Sequence, residues 1–403
     1  MIRRNRTSAS STDRARRIRH SAAYEDELRA QGIDPYAEPA GGGGGTSGTS
    51  SAAVTRRRGP SIKVVLGLSV LLLLIVAMVG GILLWQRVAA FNDSVSTAPA
   101  TSSALWGPLN GDEPVNIALF GYGGEEHKSG NYLADSIQIM SVDPKNNKTT
   151  VIPIPRDFWI EGLAQLPDNG KINEAFAIGY QQGGLEEAAG ATTEILSEVT
   201  GLQIDHWMAI DFAGFHDMID AVGGIDLKNP RAFRYTWNVW RFEHHQWEDR
   251  FAKGKIHLDG DRALAYARAR YTSVPTESSD FARSVRQQRV LGALRTKLGT
   301  GGFGSIGPGL AMMDALDGRM KTDLSAIDLF LLSSHLSPDR RIELKEGRIL
   351  EATSNTIGQY ILVIRGRDSS TDYQPLHRYL RREMAKPFPQ RRGEPTASPS
   401  GGS

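Results

Sequence analysis

From Val64 to Trp85 the chain reads VVLGLSVLLLLIVAMVGGILLW, 22 residues without a charge. A helix needs about 20 such residues to cross roughly 30 Å of hydrocarbon, so this run is long enough to span a bilayer. The core helix of a soluble protein keeps a polar stripe and is rarely apolar on every side for six turns. The run therefore predicts a transmembrane helix over residues 62–86. Arg56, Arg57, Arg58 and Lys63 precede it, whereas Arg87 alone lies just after it. Positive charge stays inside, which predicts a cell-membrane protein with a cytoplasmic N-terminus and everything after Trp85 outside. A cleaved signal peptide fits poorly, since the run starts some sixty residues in and exceeds a signal h-region.

The span divides a chain of 403 residues whose formal charge of +2 averages unlike parts. Residues 1–61 hold eleven Arg, no Lys and six Asp or Glu, a local net of +5, so the remainder sums to about −3. This tail lacks apolar periodicity and contains Gly41 to Gly45, which predicts disorder with a short helix near Tyr24 to Leu28. Residues 87–114, rich in Ser, Thr, Ala and Pro, read as a spacer lifting the next domain off the membrane. Residues 115–385 form the main domain and 386–403 a disordered Pro/Ser/Gly tail. With no cysteine, a disulfide scaffold, a thiol nucleophile and iron–sulfur sites are excluded.

VNIALFGY (115–122), SIQIMSVD (136–143) and TTVIPIP (149–155) read as strands, rich in Ile and Val and bounded by Gly or Pro. Residues 186–201 and 280–298 read as helices. The mixture predicts an α/β domain with a central mixed sheet flanked by helices in α/β/α layers.

No P-loop, G-x-S-x-G elbow or H-E-x-x-H helix is present in the sequence. What stands out is a gathering of Arg and Asp. Asp135 comes just before one strand, and Arg156–Asp157 directly after another, where side chains line the crevice at strand ends. GKINEAF (170–176) places Lys171 and Asn173 around Ile172, a pattern that a solvated loop entering a helix explains equally well. Arg268 and Arg270, one residue apart, would share a face of an extended segment. Asp280 opens a helix on which Arg283 and Gln287 follow at i+3 and i+7, while Val285 and Leu291 to Leu294 face elsewhere. Such a cluster is costly without an anion, and the planar guanidinium suits bidentate contact with phosphate. Asp135 and Asp280 amid these arginines make sense as Mg²⁺ ligands, because Mg²⁺ is held by a few carboxylates together with substrate phosphate.

The stretch WMAIDFAGFHDMIDAVGGIDL (207–227) reads first as core. Beside a membrane it also reads as an apolar slot for a lipid chain, lined by Ile210, Phe212, Phe215, Met218, Ile219 and Val222. The aromatic-rich segment 237–251, with His244 and His245, is a surface loop or a sugar-stacking element.

The order of membrane anchor, YLADS before a strand, IPRD, KINEAF, IDAVGG, ARAR and DFARSVRQQR resembles the LytR-CpsA-Psr family of bacterial cell-wall proteins. The likeness covers roughly residues 115–297, and IPRD together with R-x-R and the D-F-x-R-x-x-R-Q-Q run carries most of its specificity. It implies a membrane-anchored phosphotransferase that moves a glycopolymer, such as teichoic acid, capsular polysaccharide or arabinogalactan, from a polyprenyl-pyrophosphate carrier onto peptidoglycan. The implied cofactor is Mg²⁺, with Mn²⁺ as the alternative. By the same resemblance Arg156, Arg268, Arg270, Arg283 and Gln287 hold the pyrophosphate, Asp135, Arg156 and Asp280 are catalytic, and Asp135 and Asp280 also hold metal. Many family members carry an Asp in the loop after the first strand, where this chain has GYGGEEHKSGNY (121–132). Either one metal carboxylate is missing or Glu125, Glu126 or His127 replaces it. Two other readings are a membrane-tethered regulator that binds lipid-linked glycan without turnover, and nucleic-acid binding by the cytoplasmic Arg-rich tail. An extracytoplasmic domain argues against nucleic acid as its own partner.

Overall fold

The computed structural model describes residue 30 and residues 62–125, 132–238, 246–297, 306–335 and 338–389. The expected short helix in the N-terminal tail, the charged triplet Arg56 to Arg58 and His244–His245 lie outside these residues. By chain contacts, residues 1–70 and 71–403 form two units, and the fold described below belongs to the second. The apolar run forms helix α1 (Ile62–Val95), longer than the sequence suggests. Its side chains from Val70 to Leu74 and on to Trp85 are largely exposed. Among the described residues it is the one helix long and apolar enough to cross a membrane.

Residues 87–114 are no loose spacer. Phe91, Val95 and Leu105 are buried, and Ser96 bridges Thr322 of a sheet strand. Asp328, buried, accepts hydrogen bonds from Leu105 N at 3.0 Å and Ala104 N at 3.1 Å. The small polar residues that suggested a flexible linker instead supply the hydroxyls and amides that stitch it down.

The sheet has six strands: β1 (Val115–Tyr122), β2 (Ala134–Asp143), β3 (Lys148–Ile154), β4 (His206–Asp211), β5 (Met320–Thr322) and β6 (Arg340–Arg341). Their order is β5-β4-β1-β2-β3-β6. The β1–β4 and β3–β6 pairs are parallel and the rest antiparallel. Side chains of a strand alternate between faces, and both faces here are apolar. Phe120, Ile137, Ile139 and Ile152 pack toward helices α2 (Ile172–Thr200) and, through Leu376 and Leu380, a C-terminal helix. Gly183 and Gly184 break α2, the latter at φ 78°, so the helix expected from residue 186 is joined by one that begins at Ile172.

The opposite face is covered by α3 (Phe212–Ala221), α4 (Gly260–Arg268), α5 (Asp280–Lys297), α6 (Ile306–Leu316) and α7 (Ala326–Leu332). The C-terminal helix α8 (Gln374–Met384) completes the first layer. The result is the expected α/β/α arrangement. Because the C-terminal ends of β1, β3 and β4 and the start of β2 share one edge, Tyr122, Arg156, Asp211 and Asp135 gather there.

Candidate functional site

At that edge Asp135 is the centre of a guanidinium cluster. Arg156 Nη1 donates to Asp135 Oδ1 at 2.5 Å, and Arg268 Nη2 lies 3.9 Å from Oδ2. Arg283 Nη2 donates to the Asp135 carbonyl at 3.0 Å, with Arg283 only 6% exposed. Burial alone would raise the Asp135 carboxyl, but Arg156, Arg283 and Arg268 outweigh it and hold the group below the usual aspartate range. Asp135 is therefore ionised at neutral pH. Burial pushes the Arg268 guanidinium down, opposed chiefly by Asp135, but arginine stays charged regardless.

Behind Arg156 lies a brace. Asp157 accepts from Lys171 Nζ at 2.6 Å and lies 3.7 Å from Arg156 Nε, while Ile172 N donates to Phe158 O at 2.8 Å. The KIN segment thus fixes the IPRD turn, a role that its sequence left undecided.

Arg268 and Arg270 do not share an extended face. Arg268 ends α4, which Asp259 caps by accepting from Arg262 N at 2.9 Å. The chain then turns through Tyr271 at φ 52°. Arg268 stacks 4.2 Å from the Phe212 ring, toward Asp135, whereas Arg270 lies 5.5 Å from the ring of the exposed Tyr271. Asp280 heads α5, but its side chain lies outside the described residues. Glu125 is exposed, and Glu126 and His127 are outside the described residues as well.

Below the arginines, between the sheet and α3 to α7, runs a cavity of about 300 Å³. Gln287 borders it and accepts from Ser136 Oγ at 3.1 Å and Gln138 Nε2 at 3.3 Å. One and two turns further along α5, Leu291 and Leu294 line the same cavity. They do not face elsewhere: a spacing of i+4 and i+7 returns them to the Gln287 face. This helix face is graded from charged at Arg283 through polar to apolar. Ile210, Phe212, Phe215 and Met218 line the cavity, as does Arg268. Ile219 and Val222 do not line it: both are buried in the core that adjoins it, packed with Ile225, Leu227 and Leu258 among others.

Several contributors escaped the sequence reading. Asp211, at the end of β4, lines the cavity's polar end and caps α3 by accepting from Gly214 N at 2.6 Å. Its register with Tyr122 could be known only once β1 and β4 were paired. Arg341 of β6 and Glu343 border a shallow cleft with Asp135, Arg283 and Gln287. Arg341 Nη1 donates to Ser284 O at 3.1 Å. Met312, Met313 and Leu316 of α6 also line the cavity, from a part of the chain where the motifs are silent.

The loop after β1 folds against Asp211. Gly124 has φ 77°, and a Cβ there would sit 2.9 Å from Asp211 Cβ and Oδ2. Gly124→Ala is expected to lower stability by about 1–3 kcal/mol, since both the positive φ and the contact oppose a side chain. Urea unfolding checks it, and an unchanged midpoint would contradict the close approach.

The LytR_cpsA_psr family model matches residues 86–371. A polyisoprenyl-teichoic acid–peptidoglycan teichoic acid transferase, TagU, of Bacillus cereus is 32% identical over 222 residues, which cover 55% of this chain and 64% of that relative. The chain thus spans just under two thirds of the length of that relative. TagU of Enterococcus faecalis is 26% identical over 270 residues, 66% of this chain and 80% of the relative. Among solved structures, a Streptococcus agalactiae protein aligns with a TM-score of 0.52 at 23% identity, covering 72% of this chain and 93% of its own. The crystal structure of B. subtilis TagV aligns at 0.50 and 23%, covering 68% and 98%. At that identity these two structures establish the shared fold.

Proposed function

The chain belongs to the LytR-CpsA-Psr family, and on that premise we propose that it transfers a glycopolymer of the teichoic acid kind from a polyprenyl-pyrophosphate carrier onto peptidoglycan. One observation carries the reading: a single face of α5 passes from Arg283 in the cleft beside Asp135, through Gln287, which borders both cleft and cavity, to Leu291 and Leu294 in the apolar cavity. That gradient matches a ligand with a phosphate head and a hydrocarbon tail. In this reading α1 anchors the protein in the cell membrane with its N-terminus in the cytoplasm, and the domain works outside.

Arg156, Arg268 and Arg283 bind and neutralise the pyrophosphate, with Arg270 at the periphery. An acceptor sugar hydroxyl attacks the phosphorus nearest the glycopolymer. The bond from that phosphorus to the bridging oxygen breaks, polyprenyl phosphate leaves with the electron pair, and the proton passes to water or to the departing phosphate. A phosphodiester to peptidoglycan remains. Positioning and charge neutralisation dominate such a step, and the pyrophosphate bond supplies its driving force.

Asp135 is ionised and hydrogen-bonded to Arg156 through Oδ1. This suits a metal shared with substrate phosphate rather than a cage made by protein alone, which is how Mg²⁺ is commonly held. Mg²⁺ there, held by Asp135 and with Asp280 as the second candidate, would neutralise developing phosphate charge. Asp135, whose ionised form the arginines favour, is a weak base, so its part is to orient Arg156 and Arg268.

The test incubates the purified full chain with a polyprenyl-pyrophosphate-linked saccharide, peptidoglycan and Mg²⁺. The expected product is a phosphodiester-linked saccharide on peptidoglycan. Tight binding of the lipid-linked saccharide without product, at every acceptor concentration, would replace the transferase reading by that of a glycan-binding regulator.

A further inference from the structure

We propose that the anchor helix is a wall of the lipid site as well as a tether, and that the distal part of a bound prenyl chain leaves the cavity beside α1 and α7 and stays in the bilayer. This rests on the reading of the cavity as a prenyl site. Helix α1 continues from its exposed apolar stretch to Val95 as one element. Phe91, six residues after Trp85 and hence about 9 Å further along the axis, lines the cavity.

The helix end is fixed there. Asn92, 1% exposed, accepts a hydrogen bond through Oδ1 from Ala326 N at the first turn of α7, at 2.9 Å. Arg87 Nη1 pairs with Asp314 Oδ1 of α6 at 2.7 Å. Val95 is fully buried, and Thr97 N donates to Thr322 O at 3.0 Å. A hinge between anchor and domain would not need these four attachments.

Beside this junction α7 presents large apolar side chains to the outside. Phe330 is 58% exposed and also lines the cavity, and Ile327 is 36% exposed. Exposed apolar area of this kind is unfavourable in water and marks a contact surface. Its continuity with a helix of membrane-crossing length selects hydrocarbon as the occupant. Volume gives a second argument. About 300 Å³ lies at the lower limit for drug-sized ligands, so a long polyprenyl chain does not fit entirely inside. With the pyrophosphate at the Asp135 edge, the surplus chain must leave at the opposite, apolar end. There α7 packs through Leu332 against Val115 and Ile117 at the start of β1.

The absence of cysteine from the chain permits a direct test on the full-length protein in nanodiscs. Single variants Ile327→Cys, Phe330→Cys and Ile357→Cys are labelled with a fluorophore, the last an exposed residue in the turn between the paired strands Leu350–Ser354 and Tyr360–Ile364. Two quenchers are used in turn: phospholipid spin-labelled on its acyl chain, and a long-chain polyprenyl phosphate spin-labelled at its tail end. The expected result is loss of fluorescence with both quenchers at 327 and 330, and none at 357. Binding of the prenyl phosphate is followed separately by its retention on the purified nanodisc. If it is retained while neither quencher affects 327 or 330, the exit route is overturned and the prenyl site stands. If it is not retained at all, the prenyl-site reading falls and this inference with it.

Discussion

Arg156→Ala is expected to cut glycopolymer transfer by about two to three orders of magnitude, the loss typical of removing one preorganised donor from a charge-developing site. Arg156 both orders Asp135, at 2.5 Å, and is braced through Asp157 and Lys171. Arg156→Lys should recover little, because an ammonium cannot span two phosphate oxygens in the fixed fork of a guanidinium. Folding should survive, since the side chain is 24% exposed at the domain edge. The measurement is the rate of phosphodiester formation alongside a thermal midpoint. Transfer within threefold of the parent chain would remove Arg156 from the site. The pH dependence gives a second readout. The folded-state pKa of Asp135 is depressed, so its contribution to stability is fully present above the unfolded aspartate pKa and lost as pH falls through the folded one. Arg156→Ala removes the nearest cause of the depression, and the acid loss of stability should move to higher pH.

Strands β1, β2 and β3 were legible because Ile- and Val-rich runs bounded by Gly and Pro leave few alternatives, whereas the short β5 and β6 carry no such run. The Arg283 and Gln287 stripe was legible for the same reason, a helix period read over 18 residues. Its extension to Leu291 and Leu294 follows from the same arithmetic, although polarity changes along it. Other features depended on tertiary pairing. Ser96 with Thr322 and Asn92 with Ala326 join positions more than two hundred residues apart, so no local pattern separates an ordered strap from a flexible spacer. Asp211 and Arg341 reach the site through strands β4 and β6, whose neighbours are set by crossovers. Arg268 and Arg270 show the limit of periodicity: alternation assumes an extended backbone, and an Asp259-capped helix ending at Arg268 removes that premise.

Arg286→Ala should cost about 3–5 kcal/mol of stability, the range for breaking a buried ion pair by removing one partner. Arg286 sits in the same DFARSVRQQR run as Arg283, yet it turns the other way and is fully buried. Its Nε donates to Tyr266 O at 2.9 Å, and Nη1 to Glu277 O at 2.9 Å and Glu277 Oε2 at 3.0 Å. Nη2 donates to Ala269 O. Three nitrogens thus satisfy carbonyls from the end of α4 and the loop beyond it, which carries Arg268 and Arg270. Truncation leaves those carbonyls, and the half-buried Glu277 carboxylate, without their donor, the costliest way to lose a hydrogen bond. At about 2–4 °C per kcal/mol for a large domain, the thermal midpoint should fall by on the order of 10 °C. Arg286→Lys should fall nearly as far, since one ammonium cannot reach all four acceptors at their separate angles. Because Arg286 holds the end of α4 on both sides of Arg268, transfer measured well below the new midpoint should also drop, through weaker carrier binding more than slower turnover. A midpoint unchanged within 2 °C would show that the loop holds its shape without the guanidinium, and Arg286 would then have to be assigned to the ligand rather than to the frame.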